Sequence, residues 1–166
     1  SSVNYCLFVS PLDEEKYFFN REGLVIQINT TTKTIQTTDR ISSFNLAEDN
    51  IFTCNCDNSD RISDIEGADI LFLQNDTIFV TDNTLPFTKL YVSFLERNGW
   101  NVSRKEFLTK NDLLQCNDIV LCSSFIGLQW VSKVLYCENS TIATSYHSYD
   151  YARTLHAEMQ KFITEL

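Results

Sequence analysis

Ser123 and Ser124 are the residues of this sequence whose types and spacing point first to chemistry. They follow an unbroken apolar run, Ile119-Val120-Leu121-Cys122, which is bounded by polar residues and short enough for a fully buried strand. A buried strand that ends in adjacent serines presents backbone N–H groups and hydroxyls at its tip. That arrangement suits an anion such as a phosphate. The same residues equally describe a core strand entering an ordinary turn, and the sequence leaves both readings open. Ahead of the run, residues 111–115 read as a short helical turn that Asn111 and Asp112 can cap. Behind it, residues 125–131 form a second apolar segment.

Other kinds of chemistry find little support. The two histidines, His147 and His156, are far from any triad-like pattern, and His156 falls on a terminal helix where a structural role is expected. No P-loop or dinucleotide fingerprint occurs. The six cysteines are Cys6, Cys54, Cys56, Cys116, Cys122 and Cys137. No pair has CxxC spacing, and Cys54-x-Cys56 is too poor a set for zinc, so no metal site is expected. Four of the six lie in apolar strand-like runs, where a free thiol behaves as a small hydrophobe, and a reducing, cytoplasmic setting is expected. The competing picture is a secreted acidic domain with glycans and disulfides. Four N-x-S/T triplets, at Asn29, Asn75, Asn101 and Asn139, would suit it, although an Asn- and Thr-rich chain produces such triplets by chance. The opening SSVNYCLFVSPL lacks a basic leader and reads either as no signal peptide or as the trimmed end of a longer chain.

The chain has 166 residues, enough for one domain with a real core, and its 43% hydrophobic and 21% charged residues are ordinary for a globular protein. A formal net charge of -9 argues against nucleic acid and against an anionic membrane surface as partners, while leaving room for a basic pocket that takes one small anion. No apolar run approaches the roughly 20 residues of a membrane span.

The elements that must position the serines follow from hydrophobic period and turn chemistry. Strands are predicted over residues 4–10, 23–29, 51–56, 61–65, 69–73 and 77–81, with a hairpin-like turn at Gln74-Asn75-Asp76. Residues 30–38 form a β-branched run that holds one lysine, and residues 39–48 read as a short helix led by Asp39. The clearest helix opens at Pro86, carries Phe87, Leu90, Tyr91, Phe94 and Leu95 on one stripe, and stops at Gly99. Strands at 100–107 and 132–137 follow, residues 145–151 are polar and aromatic, and a terminal helix begins at about Tyr149 with Ala152, Leu155, Met159, Phe162 and Ile163 on one face. A meander of short strands with packed helices makes a mixed α/β or α+β domain.

The order of these pieces resembles the large C-terminal domain of the fold-type IV pyridoxal-phosphate enzymes, the class IV aminotransferase family. The resemblance covers about residues 32–134 and is densest over GADILFLQNDTIFVTD and over LPFTKLYVSFLERNGWNVSRKEFLTKNDLLQCNDIVLCSSFIGLQWV. Within the family the 4-amino-4-deoxychorismate lyase branch is closest, because LLQCNDIVLCSSFIGLQWV resembles its acidic turn, apolar strand and small polar turn. The fold implied is the C-terminal domain of the D-amino-acid-aminotransferase-like type, and the cofactor implied is pyridoxal 5′-phosphate.

The resemblance assigns roles residue by residue. Pro86-Phe87-Thr88-Lys89 resembles the family's G-I-T-R, whose backbone N–H groups at a helix start hold the cofactor phosphate; Lys89 stands where arginine is usual. Ser123-Ser124 resembles the family's second phosphate loop. Arg61-Ile62-Ser63-Asp64, followed by Asp69-Ile70, resembles the segment whose carboxylate pairs with the cofactor's ring nitrogen, which makes Asp64 that carboxylate and Glu66 its reserve. Lys33-Thr34-Ile35-Gln36 resembles the motif of the lysine that bonds covalently to the cofactor, 31 residues (64 − 33) before Asp64. A rival alignment sets Gln36-Thr37-Thr38-Asp39-Arg40 on that motif, and glutamine cannot do the lysine's work, so it would imply a non-catalytic relative kept as a binding or dimerisation module.

The resemblance further implies a single domain over 1–166, with the family's small upstream domain missing or reduced to about residues 1–23. It implies a small amino-acid-like substrate, amino-group transfer or cleavage of aminodeoxychorismate to pyruvate and 4-aminobenzoate, and a homodimer.

Overall fold

The computed structural model describes residues 22–30, 51–65, 67–138 and 141–165. In chain order its elements are β1 (Leu24–Thr30), β2 (Ile51–Cys56), β3 (Arg61–Ile65), β4 (Asp69–Gln74), β5 (Thr77–Thr81), α1 (Pro86–Arg97), β6 (Val102–Lys105), β7 (Leu108–Thr109), α2 (Lys110–Gln115), β8 (Asp118–Ser123), β9 (Gly127–Glu138), β10 (Thr141–Tyr146) and α3 (Asp150–Glu165). The strand expected at 4–10, the helix expected at 39–48 and the β-branched run after Thr30 lie outside the described residues. The architecture is mixed α+β, as expected. One mixed sheet runs β6-β5-β4-β8-β9-β1-β2-β3-β7, with β10 added on β9.

β4 and β8 lie side by side inside this sheet, and their sequences say why. Both are unbroken apolar runs, the signature of a strand covered on two faces. Alternate residues go to different cores. Ile70, Phe72, Ile119 and Leu121 join a core under β1, β2 and α2, while Leu71, Leu73, Val120 and Cys122 join a second core under α1 and α3. The two strands pair antiparallel, Asp69 opposite Cys122 and Leu73 opposite Asp118. β5 follows β4 through Asn75 and Asp76, both at positive φ (49° and 61°), the two-residue hairpin turn whose twist matches the strands.

Three expectations need correction. Residues 125–131 and 132–137 do not form two separate segments: from Gly127 on they belong to one long strand. β9 pairs with β8 over Gly127–Trp130 and then with β1 and β10, and the polar Ser132 and Lys133 that interrupt the apolar run mark the change of partner. β10 has no counterpart in the sequence reading; it is a short, polar strand paired only with β9, and its pattern carries no alternation signal. In α1 the buried face is Thr88, Tyr91, Val92, Phe94 and Leu95, and Leu90 is exposed. The helix is turned so that Thr88 faces the sheet. Gly23, at φ 72°, leads into β1 where a side chain would meet the Trp130 ring at 2.7 Å.

The terminal helix α3 carries Ala152, Leu155, Met159 and Phe162 into the second core, as its stripe predicts. What anchors it is less expected. Asp118, at the start of β8, is fully buried. Its Oδ1 accepts from the Ser148 hydroxyl at 2.5 Å, and its Oδ2 accepts from the Tyr151 N–H at 2.7 Å and the Ala152 N–H at 3.3 Å. A strand carboxylate thus caps a helix 30 residues away in sequence (148 − 118). His147 lies alongside, buried, with Nδ1 3.9 Å from the Cys116 Sγ and Nε2 without a hydrogen-bond partner among the described residues. The Asp118→Ala variant should lose about 2–4 kcal/mol of stability, read as the shift of the urea midpoint, because three bonds to one charged group go at once.

Burial holds the His147 imidazole below its ordinary value of 6.5. The folded state therefore keeps it neutral where the unfolded chain already binds a proton. This contribution to stability is intact above pH 6.5 and falls away as the pH drops below it. Unfolding midpoints across that range should decline for the wild type and decline less for His147→Gln.

Candidate functional site

One rung of the sheet gathers the residues that matter. Asp69 and Cys122 face each other across β4 and β8. From the first, the carboxylate Oδ2 accepts the Leu85 N–H at 2.8 Å. From the second, the carbonyl accepts the Thr88 hydroxyl at 3.3 Å. Leu85 is the N-cap of α1 and Thr88 lies in its first turn, so the rung grips the mouth of the helix at two points.

The mouth is left open in a specific way. Leu85 has no side-chain group that caps, and Pro86 has no N–H to offer. The N–H groups of Phe87 and Thr88 have no acceptor among the described residues. Thr88 is fully buried, which makes an unmet N–H there costly unless something arrives to accept it. No acidic residue occupies the first turn, so the positive end of the helix dipole is not screened from within the helix.

Ser123 continues directly from Cys122 and is fully buried. Its Oγ accepts the N–H groups of Phe125 and Ile126, each at 3.3 Å, so the hydroxyl closes its own turn and has its proton left to donate. Ser124 is exposed at the turn. The structure therefore brings Thr88 and the β8 end that carries Ser123-Ser124 together, with Phe87 beside them, half-buried and edge-on to the Phe162 ring at 5.7 Å. Lys89 is exposed and lines a shallow cleft with Thr81, Asp82, Ser93 and Arg104 on the flank of α1. Arg104 is already paired with Glu96 at 2.5 Å.

The other expected site residues fall wholly or partly outside the described residues. The Asp64 backbone lies in β3, opposite Asn55 of β2, and its side chain is outside the described part. Lys33, its rival position Gln36 and the reserve Glu66 lie outside the described residues altogether. Sequence reasoning misses the bond that Asp69 makes to the start of α1. Its signal is modest: a carboxylate opening an otherwise apolar strand, as Asp118 opens β8.

The thiol at the corner, Cys122, is not a nucleophile, nor are Cys54 and Cys116 of the other core. Burial pushes Cys122 up to about 12, and Cys54 and Cys116 likewise, so they are protonated at neutral pH. The four cysteines whose state is described, Cys54, Cys56, Cys116 and Cys122, are free. Among the described residues no group of His, Cys, Asp and Glu could hold a metal ion, and no helix is long and apolar enough to cross a membrane.

Neither a protein-family model nor a curated protein sequence matches the chain. Solved structures do. The branched-chain amino acid aminotransferase from Escherichia coli superposes with a TM-score of 0.59 at 12% identity, over 81% of this chain and 50% of that one. A hypothetical aminotransferase from Mycobacterium tuberculosis, in a form bound to alpha-ketoglutarate and PMP, gives 0.67 at 11% identity, over 95% and 61%. A hypothetical aminotransferase from Mycobacterium tuberculosis in a PLP-bound form gives 0.56 at 9%, over 69% and 39%.

The chain has the fold of the class IV aminotransferases.

It spans about half the length of the first solved structures it matches. At these identities the fold is what is shared. The Thr88→Val variant should lose about 0.5–1.5 kcal/mol by urea unfolding while Thr88→Ser keeps most of it, because only the hydroxyl reaches the Cys122 carbonyl.

Proposed function

We propose that the protein binds pyridoxal 5′-phosphate, with the phosphate at the mouth of α1, and acts on a small amino-acid-like substrate in the manner of a class IV aminotransferase. The observation that carries this is the pair of unmet N–H groups at Phe87 and Thr88, gripped against the Ser123-Ser124 end of β8. A helix mouth with free amides beside hydroxyls suits a phosphate dianion. The fold supports it, since its structural neighbours include aminotransferases solved with PLP and PMP.

In this reading the Phe87 and Thr88 amides and the Ser123-Ser124 turn hold the phosphate. Asp64 would pair with the ring nitrogen and favour its protonated form. Lys33 would be the amine that holds the cofactor and the group that carries the proton at the substrate α-carbon. The cofactor, when bound, supplies the electron sink for the bond broken at that carbon. Amino-group transfer is the reaction that the neighbours' names favour, and cleavage of the aminodeoxychorismate type is the one that the β8 segment's resemblance favours. The chain corresponds to the large domain of the fold, paired with a second copy in a cytoplasmic homodimer. The four free, buried thiols agree with a reducing setting.

The test is reduction with borohydride after incubation with pyridoxal 5′-phosphate, followed by peptide mass spectrometry. A cofactor mass on Lys33 is the expected result, and Lys33→Ala should abolish it and lower amino-transfer activity by about 100-fold or more. Uptake of cofactor with no mass on Lys33 would establish instead the non-catalytic binding module. No uptake at all would sink both.

A further inference from the structure

We infer that Asp69 is a positioning residue that sets how tightly the α1 corner holds a phosphate group, and that it does so by two opposed effects. The inference rests on the phosphate-binding reading above.

The first effect is alignment. In a capping box, a carboxylate three residues into a helix reaches back to the N-cap N–H. Here α1 has no acidic residue in its first turn, and Asp69 takes that part from the neighbouring strand, its Oδ2 accepting the Leu85 N–H at 2.8 Å. The Thr88 hydroxyl is tied to the residue opposite Asp69 on the same rung, the Cys122 carbonyl, at 3.3 Å. The segment between these two ties is Pro86-Phe87, and it is fixed to the sheet at both ends. The direction in which the Phe87 and Thr88 amides face thus depends on the Asp69 bond.

The second effect is charge. The same carboxylate places a negative group at the positive end of α1, bonded close to the amides that would receive a dianion. It therefore repels the phosphate that its alignment serves. An asparagine at 69 would keep an oxygen for the Leu85 N–H and lose the charge. An alanine would lose both.

The two variants separate the effects. The full chain, wild type and with Asp69→Asn or Asp69→Ala, is titrated with inorganic phosphate and with pyridoxal 5′-phosphate by calorimetry at low and high salt. Asp69→Asn should bind both about threefold to tenfold more tightly than the wild type at low salt, the gain shrinking at high salt as a Coulombic term must. Asp69→Ala should bind at least threefold more weakly than Asp69→Asn, since the two carry the same charge and differ in alignment. An Asp69→Asn that binds no more tightly than the wild type, or an Asp69→Ala that equals Asp69→Asn, overturns the inference while leaving the site intact. Absence of binding in all three proteins overturns the phosphate-binding reading and the inference with it.

Discussion

The pairing of Asp69 with Cys122 is the constraint on which the rest of the corner depends. Each contributes its own side of a single rung, one a carboxylate and the other a carbonyl, and each takes hold of a different residue at the start of α1. A helix start needs four N–H groups met from outside the helix. In this chain the partners come from the sheet where they come at all. Leu85 and Pro86 supply no cap of their own, and so the geometry of the helix mouth is a property of the tertiary fold rather than of the local sequence.

The second core makes that arrangement stiff. α1 and α3 lie together over Leu71, Leu73, Val120 and Cys122. The Tyr91 hydroxyl donates to the Leu155 carbonyl at 2.6 Å, and the Phe162 ring meets Phe87, Tyr91 and Phe94 within 5.7 Å. Phe162, near the end of α3, therefore packs directly on a residue of the first turn of α1. Interiors of this density transmit displacement rather than absorb it. Loss of the α3 anchor at Asp118 would be felt at the mouth of α1 as well as at its own end.

How much of this is legible in the residues depends on how local the cause is. The apolar runs of β4 and β8, the stripe of α3 and the Asn75-Asp76 turn are set by burial or by φ, and each is readable from a window of a few residues. β10 and the unity of β9 are not, because a strand that changes partners midway has no single period to show. The burial of Thr88 in place of Leu90 goes with one hydrogen bond to a residue 34 positions on, which no helical wheel contains. Of the candidate site, the helix start and the serine turn are visible as amide-rich corners, and that they meet is implied only by the resemblance, which assigns both to one phosphate. Asp69 and Asp118 escape notice for the same reason: each bonds a helix start that only the folded chain brings near.

Those two aspartates open neighbouring strands and sit at opposite ends of one antiparallel pair, opposite Cys122 and Leu73 respectively. The rungs are four residues apart along β4 (69 to 73), about 13 Å. Slippage of β8 along β4 by a single position would turn its core residues to the wrong faces. It would also carry Asp118 away from Leu73 and Cys122 away from Asp69, so that the two ties on the α1 entrance would no longer share a rung. The pair works as a vernier: both marks coincide in only one alignment, and a hydrophobic ribbon that could otherwise mispair is held to it.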